Sequence, residues 1–393
     1  MRIFVSSLFA DFWVTLLAVP VINSQKIKKV LKIVILSLLY LGSFAFGFVG
    51  SYLFLRGSDI FIKTTSTDEN VSIKDTELPQ EAFTVLLLGY GGAGHDGGNL
   101  SDVIMVAHIN TKEKEISFIS IPRDLWVEIP VRSDKKEYYK VNAAYAIGSD
   151  DKGFPLKEPQ YKGEGGAATL SKEVVSDVVG MPIDYFIAVD FEGFRKIVDI
   201  LGGLEVNVPV TFDDYFYPVK GLENETCGIL AEQISEFHAN YSGFELEKQF
   251  ICRYEHIHFD KGKNHIDGET ALKYVRSRHS DQHGGDFARS QRQQALLIGL
   301  RDKFISLDAL KNTDQLFNQI SSMIRTDLDL ATIKKLLELD GNIKDYKVSF
   351  IGLNDQNTLV ASKSGDGQFI LIPKEGQGEY VGIQKFIRIE LAK

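Results

Sequence analysis

The chain has 393 residues, 44% of them hydrophobic and 25% charged, with two cysteines and a formal charge of −9. It is longer than one typical domain and has ample apolar material for a core. Residues 1–56 hold six Lys/Arg and one acidic residue, leaving 38 basic against 52 acidic residues, a net of −14, in everything after them. A body this acidic is a poor general binder of nucleic acid, so arginines gathered within it point to a local site.

Residues 3–22 are apolar but interrupted by Asp11 and Pro20. They fit either a membrane span or a segment lying in the interface. Ile33 to Leu55 is 23 residues without a charge, long enough to cross a bilayer core of about 30 Å. Lys26, Lys28, Lys29 and Lys32 precede it, and such a cluster stays on the cytoplasmic side, so everything after Leu55 is sent outside. A cleaved signal peptide fits less well, because the charged region comes after the first apolar stretch. Residues 56–80 are polar and aperiodic, as a tether would be.

The folded part then begins with apolar runs predicting strands at 83–88, 102–109 and 116–121. Helical patterns come next at 166–179 and 191–201, with a strand at 184–189 between them and another at 204–208 after the Gly202-Gly203 stop. This alternation predicts an α/β fold, a mixed central sheet flanked by helices. Two more helices are expected near 307–323 and 329–339, then a strand at 348–352. The tail carries little signal. Cys227 and Cys252 share an aromatic-rich insertion, and on an exterior face they would bridge, stabilising by roughly 3 kcal/mol in the chain-entropy model. Two free buried thiols are the alternative.

Gly89 to Gly94 matches G-x-G-x-x-G after a strand, yet the chain then runs through more glycine into a second strand, with no helix opening at the last glycine. The dinucleotide fingerprint needs that helix, so the segment reads as a glycine loop at the mouth of a site. His279 and His283 are four apart, but on a glycine-broken loop that spacing says little for zinc. His256 and His258 alternate along a strand and read as solvent-facing partners.

Ala271 to Gln294, ALKYVRSRHSDQHGGDFARSQRQQ, organises the rest. A helix capped by Asp267, with Ala271, Leu272 and Val275 buried, delivers Arg276 and Arg278. After the glycine break a second helix opens with Asp286 as cap, placing Arg289, Arg292 and Gln293 in its first two turns. Cations at a helix N-terminus oppose the macrodipole, and a phosphate group held by guanidinium forks would offset this. Asp102, at the start of the second strand, and Arg123, after the third, add a carboxylate and a further arginine. A carboxylate facing phosphates commonly acts through magnesium.

The segments LLLG, LSDVIMVAHIN, ISIPRD, IDYFIAVDFEGFRKIVDILGGLEVNVP, GKNHIDGETALKYVRSR and GGDFARSQRQQ closely resemble the LytR-CpsA-Psr family, over about 230 residues and in family order. The resemblance implies an exterior, membrane-anchored phosphotransferase that moves a glycopolymer from a polyprenyl-pyrophosphate carrier to peptidoglycan through a phosphodiester. It implies an apolar channel for the lipid, between sheet and helices. By position, Arg123, Arg276 and Arg278 would clamp the pyrophosphate, and Arg289 and Gln293 would line the head-group pocket. Arg292 is an addition nearby. Asp286 would deprotonate the acceptor hydroxyl and Asp102 would ligate magnesium. Two positions depart from the family: Leu100 stands where an arginine is usual, and Tyr90-Gly91 where an aspartate is usual. Either Asp96 or His95, on the glycine loop, substitutes for the missing ligand, or Asp102 and the phosphates hold the metal alone. The expected layout is a cytoplasmic or membrane-associated segment at 1–32, a span at 33–55, a linker at 56–82, the catalytic domain at 83–310 and a helical and strand extension at 311–393. A polyprenyl-pyrophosphate hydrolase and a non-catalytic lipid-binding envelope protein are the competing readings.

Overall fold

The computed structural model describes residues 82–95, 97–306, 319–329, 332 and 345–393, without the side chains of 286, 287 and 304–306. The expected membrane span, the apolar segment before it, the tether, Asp96 and most of the two helices expected past residue 306 lie outside the described residues. At the end of the first of those helices, Ser321–Met323 forms a 3-10 turn.

In chain order the strands are β1 (Ala82–Tyr90), β2 (Ser101–Asn110), β3 (Glu115–Ser120), β4 (Trp126–Arg132), β5 (Lys135–Lys140), β6 (Tyr185–Asp190), β7 (Leu204–Val208), β8 (Phe212–Pro218), β9 (Tyr254–Phe259), β10 (Gly262–Ile266), β11 (Ile324–Thr326), β12 (Lys347–Gly352), β13 (Leu359–Lys363) and β14 (Phe369–Pro373). The helices that matter are α1 (Ala143–Ser149), α2 (Gly166–Val179), α3 (Phe191–Ile200), α4 (Ala231–Asn240), α5 (Gly268–Arg276), α6 (Gly285–Ser306) and α7 (Val381–Leu391). Six strands form one mixed sheet in the order β11-β6-β1-β2-β3-β12. β1 runs antiparallel to β2 and parallel to β6; β3 runs antiparallel to β2 and parallel to β12. The expected fold class is therefore present. Two of the six strands, β11 and β12, come from beyond residue 310, so the segment expected as an extension completes the sheet.

The two faces of the sheet part company at every second residue, as the pleat requires. Leu86 and Leu88, Ile104 and Val106, and Phe186 and Ala188 pack into a core shared with α1, α2, α7 and the β4–β5 ribbon. Leu87, Met105, Ile187 and Val189 point to the opposite face. A second core joins the β7–β10 and β8–β9 ribbons to α3, α5 and α6 through Phe212, Phe259, Tyr274 and Leu296. Local chemistry sets the helix ends. Asp190 caps α3 by accepting from the Gly193 N–H at 2.6 Å, and Asp267 caps α5 through the Thr270 N–H at 2.8 Å, as its sequence predicted. Gly180, at φ +71°, stops α2 in the left-handed conformation.

One consequence of the topology positions the site. The pairings bring the C-terminal ends of β1, β3, β6 and β12 and the N-terminal ends of β2 and β11 to a single edge. At that edge lie Asp102, near the start of β2, and Phe191, which opens α3, while the loops leaving it carry Arg123 and Asn354.

Candidate active site

At that edge a pocket of about 280 Å³ is lined by Asp102, Arg123, Arg276, Arg278, Arg289 and Gln293. The structure brings these sequence-predicted residues to one pocket from four separate segments. Arg123 leaves the turn after β3 and donates from Nη1 to Asp102 Oδ1, which aims it across the start of β2. Arg276 ends α5, where the negative end of the helix dipole favours it. Its guanidinium lies 4.6 Å over the Phe191 ring and donates to the Tyr217 hydroxyl at 3.2 Å. Arg289 and Gln293, four apart, share one face of α6.

Two expectations need correction. α6 opens at Gly285, whose φ of +78° makes the entry, so Asp286 lies inside the first turn and does not cap it. The Asp286 side chain is outside the described residues. Arg292 does not share the pocket face. It falls on the inner stripe of α6 with Ala288, Leu296 and Gly299, wholly buried. Its guanidinium stacks 4.9 Å from the Phe212 ring and donates to the carbonyls of Ser277 and His283, the latter at 2.6 Å. Burial pulls its pKa down to about 10, against attraction from Tyr274 and Asp214, so it stays charged at neutral pH.

Arg292 is a brace behind the arginine-bearing turn, and Asp214 is the brace beneath it. Asp214 is buried, and its Oδ2 accepts from the Ser277 hydroxyl at 2.7 Å and from the Arg278 and His279 N–H groups at 3.1 Å each. Its Oδ1 accepts from the Phe216 N–H at 2.9 Å. Neither brace was foreseen. The signal for Asp214 was present, because Phe212 and Asp214 are two apart on β8 and share its inward face.

The two departures from the family pattern also have a place. Tyr90 turns its ring onto Tyr145, with centroids 5.1 Å apart, and burial raises its pKa, so it offers the pocket no anionic oxygen. Leu100 is exposed. His95 sets its ring edge-on against Phe191 at 5.4 Å, and burial, Lys220 and Arg276 hold its pKa below the ordinary range. His279 stacks on Phe244 at 3.7 Å while His283 faces Gln291 and Arg292, so the pair separates. His256 and His258 both bond Asp213 on the exposed side of β9. Cys227 and Cys252 are disulfide-bonded.

Beside the charged pocket, and sharing Val103, Phe191, Val275 and Gln293 with it, runs an apolar tunnel of about 220 Å³. Its floor is the second face of the sheet, Leu87, Met105, Ile187 and Val189, and its roof is Phe194, Leu272, Leu296, Leu297 and Leu300. Such a site takes an apolar chain without leaving polar groups unpaired.

The LytR_cpsA_psr family model matches residues 52–374. The chain is 27% identical over 305 residues to the polyisoprenyl-teichoic acid–peptidoglycan teichoic acid transferase TagU of Enterococcus faecalis, covering 77% of this chain and 78% of that protein. It is 25% identical over 287 residues to the corresponding transferase TagV of Bacillus subtilis, covering 72% of this chain and 59% of that protein. The crystal structure of B. subtilis TagV aligns with a TM-score of 0.53 at 22% identity, over 79% of this chain and 96% of that one. That likeness is one of fold.

Proposed function

This chain belongs to the LytR_cpsA_psr family, and from that premise we propose that it is a membrane-anchored, extracytoplasmic phosphotransferase that moves a glycopolymer from a polyprenyl-pyrophosphate carrier to peptidoglycan. The observation that carries this reading is the shared wall between a four-arginine pocket and an apolar tunnel. Together they fit an amphiphile with a diphosphate head and a hydrocarbon tail. The transferase names of the curated relatives support the same reading. The lysine-flanked apolar segment at 33–55 supports the anchor, and the Cys227–Cys252 bridge supports an oxidising exterior.

In the proposed reaction an acceptor hydroxyl attacks the sugar-linked phosphorus. A new phosphorus–oxygen bond forms, the bond to the bridging oxygen breaks, and polyprenyl phosphate leaves with that oxygen. Arg123, Arg276, Arg278 and Arg289 stabilise the charge spread over the phosphoryl oxygens, fixed in place before the reaction starts. Asp286, in the first turn of the helix that presents Arg289, is the proposed acceptor of the hydroxyl proton. The test is reconstituted transfer from a labelled polyprenyl-pyrophosphate glycan: label on glycan strands supports the reading, label released into water makes the protein a hydrolase, and binding without turnover makes it a carrier-binding module.

Asp102 has its Oδ1 bonded to Arg123 and can offer magnesium its Oδ2, a single carboxylate donor that suits an ion taking one or two carboxylates and further oxygens from phosphate and water. The bound ion would neutralise phosphate charge. If Asp102 holds it, Asp102→Asn removes the magnesium dependence of pyrophosphate binding measured by calorimetry; an unchanged dependence moves the ion elsewhere. The tunnel carries its own prediction. Leu297→Glu should weaken binding of a long prenyl diphosphate at least about tenfold, because a carboxylate would be buried without a partner, while inorganic pyrophosphate binds as before. Equal weakening of both ligands would remove the tunnel from the reading.

A further inference from the structure

We propose that a third cavity, over the β3 and β12 ends of the same sheet edge, is the subsite for the acceptor glycan, with Phe369 as its stacking platform. This rests on the transferase reading above. The cavity measures about 400 Å³ and shares Asp102, Val103, Arg123, Arg289 and Gln293 with the charged pocket. Beyond them its wall mixes apolar side chains such as Phe350, Leu353 and Leu371 with the polar Gln291, Gln294, Asn354, Asp355 and Gln356 and, at its rim, Phe369. Amides and a carboxylate give both donors and acceptors, the complement of sugar hydroxyl and acetamido groups. Phe369 is 55% exposed on β14, an aromatic face of the kind that covers the C–H side of a pyranose ring.

The order along the sheet edge separates acceptor from donor. The tunnel lies over β6, β1 and β2, the charged pocket at the start of β2, and the third cavity over β3 and β12. In an in-line displacement the attacking and leaving oxygens sit on opposite sides of phosphorus. The leaving polyprenyl phosphate departs toward the tunnel, so the nucleophile enters from the β3–β12 side.

The wall is built and held. Leu371 donates its N–H to the Asp124 carbonyl at 2.9 Å, which fixes the β13–β14 hairpin beside Arg123. Asn354 Oδ1 accepts from the Gln356 N–H at 2.9 Å, and Asn357 Oδ1 accepts from the Asn354 N–H at 2.9 Å, closing a tight loop that presents Gln356. Such a preformed surface lowers the cost of binding.

The test uses the full chain in detergent or nanodiscs. In Phe369→Ala the KM for acceptor glycan should rise about tenfold, with Phe369→Trp restoring it, while the KM for the lipid-linked donor and the affinity for polyprenyl diphosphate stay unchanged. A rise in donor KM alone would assign the cavity to the donor polymer and overturn the proposal, as would no change in either. Equilibrium binding of a soluble glycan-strand fragment, measured without donor, separates this from the transferase reading. If transfer fails in the parent protein but fragment binding weakens about tenfold in Phe369→Ala, the subsite stands and the reaction falls; equal fragment binding overturns the subsite.

Discussion

Replacing Asp214 with alanine is expected to abolish transfer as fully as removing an arginine, although Asp214 is given no contact with substrate. Its carboxylate accepts from one hydroxyl and three backbone N–H groups, and two of those N–H groups belong to Arg278 and His279. Without it these donors lose their partner inside the fold, each at about 1–3 kcal/mol. Buried Arg292, drawn toward Asp214, also loses compensating charge. Removing the shared acceptor of four donors at once should cost a few kcal/mol in stability. A thermal melt and a transfer assay should therefore fall together. Asp213, its neighbour on β8, bonds His256 and His258 on the exposed side, so Asp213→Ala should leave transfer intact. An Asp214→Ala protein that melts and reacts like the parent would show that the arginine-bearing turn holds itself.

The second large effect concerns the arginines. Arg278→Ala should lower turnover about 10²- to 10³-fold, the usual cost of removing one preorganised donor to transition-state charge. Arg278→Lys should recover little, because an ammonium cannot make the two parallel bonds of a guanidinium fork to phosphate. The melting temperature should fall less than in Asp214→Ala, which distinguishes the two variants. Full recovery by lysine would mean that the site needs only a point charge.

Much of the sheet and most of the pocket were legible in the chain. β1, β2, β3 and β6 are largely apolar runs, and their predicted bounds match the structure within a residue or two. Arg276 could be placed because an N-cap at Asp267 fixes where α5 begins, and with it the turn on which Arg276 falls and after which Arg278 follows. Arg292 was misplaced for a geometric reason: at 100° per residue it stands about 60° from Arg289 and about 100° from Gln293, but within about 40° of Ala288, Leu296 and Gly299, and that buried stripe claims it. Charge alone argued for the surface; the ring of Phe212, two carbonyls from the preceding turn and the attraction of Asp214 make its burial tolerable.

The hairpin of β13 and β14 was not foreseen, because its strands are short and Val360 and Phe369 face outward, which blurs the alternation. Helix α7 was missed too, since only Ile383 and Ile387 mark its buried side. β12 was foreseen as a strand, yet no local pattern says that it pairs with β3 across more than two hundred residues. Tertiary partners, not local preference, place these elements.

The central claim is that one amphiphilic diphosphate occupies the charged pocket and the tunnel together. The most direct measurement is a crystal structure with a prenyl diphosphate bound. The expected result is both phosphates among Arg123, Arg276, Arg278 and Arg289, and the hydrocarbon chain between Met105, Val189, Phe194 and Leu297. A diphosphate bound away from these arginines, or a chain directed to solvent with the tunnel closed, would contradict it.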